Sequence, residues 1–362
     1  MTETRNGAGA IHSLPLHILL APATPGSAEA HRVREEVLAL AGAGHAPLLL
    51  APAGLPPIEG VSSATISEGG PLGLFSGAKL RRQASDLSRH RTPTCVHAHG
   101  WGAVRAAQQI ARDLGVALVC DVGDPLRPPR PEKGLLGSLD RIISCSASVV
   151  RQVAAEVRPG HVVHIPGSLD PSDLPPAPAV PFRLPPGRDL LVVFAPLAEG
   201  DADSLLAALD AALSAHPALH LVLLGEPIGA TFMKAVSAHR MVPRVTFGGL
   251  PPLSAAARLF DASRAIFFAL PDPGLVEPYA LLALSGGAPL LALPGDDARA
   301  LFGGRALDAP EADASALGAA LGRALASGRR EPHAPAAEHQ RPALAERLIR
   351  VYEGAVRSGS SV

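Results

Sequence analysis

Short apolar runs of strand length alternate along this chain with stretches whose apolar residues recur every three or four positions, the pattern of βαβ units on a parallel sheet. The first run is His17–Pro22. A turn at Pro25-Gly26-Ser27 follows, then a helix from Ala28 to about Gly42 carrying Val33, Val37, Leu40 and Ala41 on one side, with Gly42 and Gly44 ending it. Ala46–Ala51, Thr94–His97, Ala117–Val122 and Arg141–Ser144 repeat the strand theme as near-continuous apolar stretches, which suits strands buried on both faces. Between Pro171 and Arg188 seven prolines fall in eighteen residues, a density that excludes helix and central strand and predicts a stiff connector. The alternation then restarts at Leu190–Phe194 and runs through Leu219–Leu224, Arg244–Phe247, Ala265–Phe268 and Pro289–Leu293 to helices at Ala314–Ala326 and Ala343–Val356.

The pattern predicts an α/β protein of two Rossmann-like, doubly wound parallel-sheet halves, at residues 1–170 and 189–341, joined by a hinge at 171–188 and followed by a helix at 342–362. Leu344, Leu348, Val351 and Tyr352 give that last helix an apolar stripe, so it either closes the second domain or crosses back onto the first. A length of 362 residues agrees with two cores rather than one. With 47% apolar and 18% charged residues the chain is too apolar to be disordered. The net charge of −1 gives no positive field, so nucleic acid is not an expected partner. Cys95, Cys120 and Cys145 each sit in an apolar run and read as reduced, buried small hydrophobes. No cysteine–histidine spacing marks a metal site, and none is expected. Residues 1–16 lack a signal-peptide pattern, and no run approaches the 18 apolar residues of a membrane span. The expectation is a cytoplasmic protein, or one lying peripherally on the inner membrane.

Several segments, in order, resemble the retaining glycosyltransferases of family 4. Gly26-Ser27-Ala28-Glu29-Ala30-His31 through Gly44-His45 is similar to that family's glycine loop, first helix and following turn. Val96-His97-Ala98-His99-Gly100-Trp101 is similar to its histidine-bearing strand end, Asp140 to Ser146 to its "DRVIAVS" strand, and Val163 to Asp170 to its "VVIPNGVD" segment. Val245 to Gly249 and Gly287 to Leu291 match two further strands. The resemblance implies the two-domain GT-B fold, a last helix that crosses back onto the first domain, a nucleotide-sugar donor held by the second domain and an acceptor held by the first. No cofactor beyond that donor is implied.

The same resemblance exposes departures. A departing nucleoside diphosphate gains negative charge, so fixed cations or backbone N–H groups must face it. Pro196 stands where the family has an arginine and Asp201 where it has a lysine. A like-charge contact at about 4 Å in an effective dielectric near 20 costs roughly 4 kcal/mol. Of two glutamates that touch the donor, at best Glu277 survives; a straight count back from Gly287 lands on Gly274 and Leu282 instead. Gly123 replaces an active-site histidine, and Gly295-Asp296-Asp297 replaces a phosphate-facing glycine pair. The resemblance thus places Gly26, Ser27, Pro196, Asp201, Gly225, Glu226, Glu277, Gly295 and Arg299 on the donor side of the cleft, with Glu277 as the candidate catalytic residue, and His99, Trp101, Asp121 and Asp124 on the acceptor side.

Each has a plainer reading. His97 and His99 also suit a packed pair at the sheet edge, Asp121 and Asp124 ordinary turn chemistry before Pro125, and Glu277 a favourable charge at a helix N-terminus. Lys79, Arg81, Arg82, Arg89 and Arg91 surround Leu80, Ala84 and Leu87 as a solvated helix face, although in some relatives such a helix rests on anionic lipid. Arg258, Arg264 and Arg299 are candidates to replace the missing cations. Two functions stay open. One is a pseudo-glycosyltransferase that binds glycan or pairs with an active transferase in glycan or polysaccharide synthesis; the other is an active retaining hexosyltransferase with relocated cations.

Overall fold

The computed structural model describes residues 15–19, 28–52, 55, 57–66, 77–122, 136–174, 180–195, 203–225, 229–270, 272–309, 314–332 and 336–359. The first half is built from β1 (Pro15–Leu19), α1 (Ala28–Gly42), β2 (Leu48–Pro52), β3 (Ser62–Ile66), α2 (Gly77–Ser88), β4 (Cys95–His99), α3 (Trp101–Leu114), β5 (Ala117–Asp121), β6 (Arg141–Ser144), α4 (Ala147–Ala154) and β7 (Val162–His164). Its strands lie parallel in the order β3-β2-β1-β4-β5-β6-β7. The second half comprises β8 (Asp189–Phe194), α5 (Asp203–Ala215), β9 (Leu219–Leu224), α6 (Ala230–Ala238), β10 (Val245–Gly249), α7 (Leu253–Ala262), β11 (Ser263–Phe268), α8 (Glu277–Gly286), β12 (Leu290–Ala292), α9 (Asp296–Phe302), β13 (Ala306–Asp308) and α10 (Ala314–Ala326). Its order, β10-β9-β8-β11-β12-β13, repeats that of the first sheet without the seventh strand. Both are the doubly wound arrangement the alternation predicts.

Period-2 alternation gives each sheet two buried faces. In the first sheet Leu16, Ile18, Val96, Ala98, Leu118 and Cys120 pack under Leu80 and Ala84 of α2 and Val104, Ala107 and Ile110 of α3. α2 thus buries a small apolar side and leaves Lys79, Arg81 and Arg82 exposed. In the second sheet Leu191, Val193 and Phe267 meet α5, α6 and α10, while Val192, Phe194 and Phe268 meet α7, α8 and α9.

The last helix, α11 (Arg341–Gly359), settles the alternative left by its stripe. Leu344, Leu348, Val351 and Tyr352 pack against Ala39 and Leu40 of α1 and against Cys95, Val119 and Ile143 of the first sheet, so the helix crosses back. The three cysteines are buried and free. Among the described residues no helix is long and apolar enough to cross a membrane.

Strand ends differ from expectation by a few residues. β4 runs to His99 rather than His97, because α3 starts directly after Gly100, whose φ of 75° makes the turn in one residue. β3 escapes an apolar-run search because Ser62 and Ser63 at this sheet edge are exposed.

Candidate functional site

Contacts between the two halves come from strand carboxyl ends and the segments that follow them. The Cys145 thiol donates to the Gly274 carbonyl at 3.5 Å, and Asp272 accepts from the hydroxyls of Ser146 and Ser148. A Cβ on Gly274 would stand 3.1 Å from the Ser146 backbone, so this approach needs glycine.

Beside that seam lies a buried polar cluster. His17 pairs with His97 across β1 and β4, and His99, two residues on, shares their face. His17 Nδ1 is 2.9 Å from His99 Nε2, and His97 Nδ1 is 2.9 Å from the Tyr352 hydroxyl. Above them α1 contributes Arg32 and Glu36, one turn apart; Arg32 Nε lies 3.2 Å from Glu36 Oε1 and 2.5 Å from Asp121 Oδ2. Asp121 is opposite His99 in the register of β4 and β5. The Arg32 guanidinium also reaches across the seam, 3.7 Å from Glu277 Oε2.

Glu277, the first residue of α8, is 3% exposed. Its Oε2 accepts from the Gly167 N–H at 2.7 Å, and its Oε1 lies 3.7 Å from His339 Nδ1. A Cβ on Gly167 would stand 2.6 Å from that carboxylate, so the bond depends on glycine there. Next to it Arg341 donates twice to Glu35, at 2.8 and 2.7 Å, and Glu35 accepts from the Ser168 hydroxyl at 3.0 Å.

Burial raises the Glu277 carboxyl to about 7, against the opposing pull of Arg32 and the Gly167 N–H. It lowers His99 to about 3, aided by Arg32, and holds His17 and His97 well below the ordinary imidazole range. Glu36 is pushed up by burial despite Arg32. Arg32 is a single cation among Asp121, Glu36 and Glu277, so the four groups carry an excess of two negative charges when all are ionised. A cavity of about 290 Å³ adjoins Glu277, lined also by His164, Asp297, Glu338, His339 and Arg347.

Of the residues named from sequence, His99, Asp121 and Glu277 come together, joined by Arg32. Trp101 starts α3 and packs on the opposite face of the first sheet. Gly225 follows β9 of the second sheet and donates its N–H to the Gly249 carbonyl at 3.1 Å. Gly295 precedes α9, on which Arg299 is exposed. Gly26, Ser27, Gly123, Asp124, Pro196, Asp201 and Glu226 lie outside the described residues. Arg264 serves its own domain by donating to the Leu325 carbonyl, and Arg258 is exposed on α7. The guanidinium that does reach Glu277, Arg32, was not among the candidates; nor were Glu36, His17 and His339. In sequence Arg32 and Glu36 are a charged pair one turn apart on α1, a pattern shared with solvated helix faces.

No family model and no curated protein matches the chain. Its architecture, however, matches solved structures over nearly its full length. Sucrose-phosphate synthase from Thermosynechococcus elongatus aligns with a TM-score of 0.59 at 18% identity, covering 95% of this chain and 94% of that one. Anabaena HepE in complex with UDP and glucose aligns at 0.60 and 13%, covering 97% and 100%. The fold is GT-B. A third solved structure, that of a putative UDP-N-acetylglucosamine 2-epimerase from Listeria monocytogenes, aligns at 0.54 and 13%, covering 95% and 96%. At these identities the likeness establishes the GT-B architecture of facing sheets and back-crossing helix.

Proposed function

We propose that this chain is a glycosyltransferase-like protein of the family 4 type whose nucleotide-sugar site has been lost, and that it acts as a non-catalytic glycan-binding or partner subunit in glycan or polysaccharide synthesis. One observation carries this reading: Glu277, the one donor-touching glutamate the resemblance retains, is bonded to the first domain by the Gly167 N–H and faced by Arg32 and His339. A carboxylate committed in this way is not presented to a sugar. Arg32 does not restore the missing grip on a diphosphate, because its guanidinium is already engaged by Asp121 at 2.5 Å and Glu36 at 3.2 Å. A diphosphate brought beside Asp121 meets repulsion of roughly 4 kcal/mol for a like-charge contact at about 4 Å. By the resemblance, Pro196 and Asp201 stand where the family carries cations, which removes two positive charges from the donor side.

The test is incubation with hexoses linked to uridine, guanosine and adenosine diphosphates, monitored for released nucleoside diphosphate, alongside retention on immobilised glycans. No release with glycan retention is the expected pair of results. Release of nucleoside diphosphate at a rate proportional to protein overturns the reading.

The second reading, an active retaining hexosyltransferase, is favoured by the presence of a guanidinium beside Glu277 at all. It requires that Glu277→Ala lower turnover about tenfold or more. Crosslinking to a co-purified transferase without glycan retention would instead favour the partner role over glycan binding.

A further inference from the structure

The three histidines and Glu36 have a feature that sugar transfer does not use. One ligand-capable atom from each of His17, His97, His99 and Glu36 falls within 4.8 Å of every other. Glu36 Oε2 lies 3.5 Å from His97 Nδ1, 3.9 Å from His99 Nε2 and 4.0 Å from His17 Nδ1, and the two nearest nitrogens are 2.9 Å apart. In a tetrahedral site with metal–nitrogen bonds of about 2.0–2.1 Å the ligand atoms stand roughly 3.3 Å from one another, inside this range.

Two further observations point to a cation. Both Glu36 oxygens are buried without a hydrogen-bond partner, where buried polar atoms are as a rule satisfied, and Oε2 faces the three imidazole nitrogens. When all are ionised, Asp121, Glu36 and Glu277 exceed Arg32 by two negative charges, so a divalent ion in the cluster would favour their ionised forms. We propose that His17, His97, His99 and Glu36 form a four-ligand site for one divalent transition metal of the zinc class, within the core of the first domain. Imidazole and carboxylate ligands suit zinc and its neighbours rather than magnesium or calcium. The ion fastens α1 to β1 and β4. The Tyr352 hydroxyl, bonded to His97 Nδ1, yields that nitrogen on binding and couples the site to the back-crossing α11.

The chain is purified without a polyhistidine tag, stripped with chelator and titrated with Co²⁺. The expected result is one equivalent bound with the visible bands of four-coordinate cobalt, displaced by one equivalent of Zn²⁺, and a melting temperature raised by Zn²⁺ but not by Mg²⁺. His17→Asn/His97→Asn and, separately, the near-isosteric Glu36→Gln should weaken Zn²⁺ binding about 100-fold or more, with folding checked by circular dichroism. His90→Asn, at an exposed histidine, should leave binding unchanged. A wild-type chain that shows no four-coordinate cobalt spectrum overturns the proposal, and so do folded cluster variants that bind Zn²⁺ as well as the wild type.

Discussion

The two sheets share a strand order, yet one place on the same face of each is filled by opposite chemistry. Under the first crossover helix of the second domain, β8 and β11 present Leu191, Val193 and Phe267 to Leu206 and Leu209 of α5. At the equivalent place in the first domain, β1 and β4 present His17, His97 and His99 to Arg32 and Glu36 of α1. Topology therefore does not require polar groups there, and an apolar filling of this fold is available within the same chain. Burying ions costs several kcal/mol each unless geometry repays it, so the cluster reads as a retained site rather than as a source of stability.

The comparison breaks most sharply at Arg32. Arg32→Met leaves Asp121, Glu36 and Glu277 buried without their cation, and an uncompensated buried charge costs about 3–5 kcal/mol. Urea unfolding at pH 8 should register that loss and show it shrinking as the pH falls and the carboxylates take up protons. A loss below about 1 kcal/mol would mean that solvent already reaches the cluster.

Glu277→Gln comes next. The folded carboxyl titrates near 7, above its unfolded value, so the wild type holds this contribution fully below about pH 4.5 and loses it as the pH rises through about 7. The glutamine variant does not titrate there. It should gain on the wild type across that window by about 3 kcal/mol, read as the difference between two stability-versus-pH curves. Parallel curves would place Glu277 in water.

The smallest effect sharpens the comparison itself. Giving the first domain an apolar face, with His17→Leu/His97→Leu/Tyr352→Phe, should leave stability at pH 7.5 in chelator within about 1–2 kcal/mol of the wild type. Burial depresses the two folded imidazoles, so their contribution is present above about pH 6.5 and is lost as the pH falls below it. The triple variant should flatten that acid limb, whereas a melt as steep in acid as the wild type's would assign the limb elsewhere.

Much of the fold is legible in the sequence, because a buried parallel strand must be an unbroken apolar run and a helix packed on it must repeat every three or four residues. α1 spans Ala28–Gly42 as its stripe predicts. Of the candidate site, His99, Asp121 and Glu277 are legible as polar residues at strand carboxyl ends and at a helix start. Arg32 and Glu36 are not, because an arginine and a glutamate one turn apart look like any solvated helix pair. Only tertiary contacts with Asp121, 89 positions away, and with Glu277 turn them inward. The histidine cluster is hidden for the same reason: its members follow no local spacing, and strand register brings them together.

The most direct measurement is a calorimetric titration of the wild-type chain with UDP at pH 7.5 and moderate salt. Arg32, the guanidinium beside Glu277 among the described residues, is already engaged by Asp121 and Glu36, so no saturable heat is expected below about 1 mM nucleotide. A dissociation constant in the micromolar range would contradict the central claim and show that a cationic diphosphate grip survives.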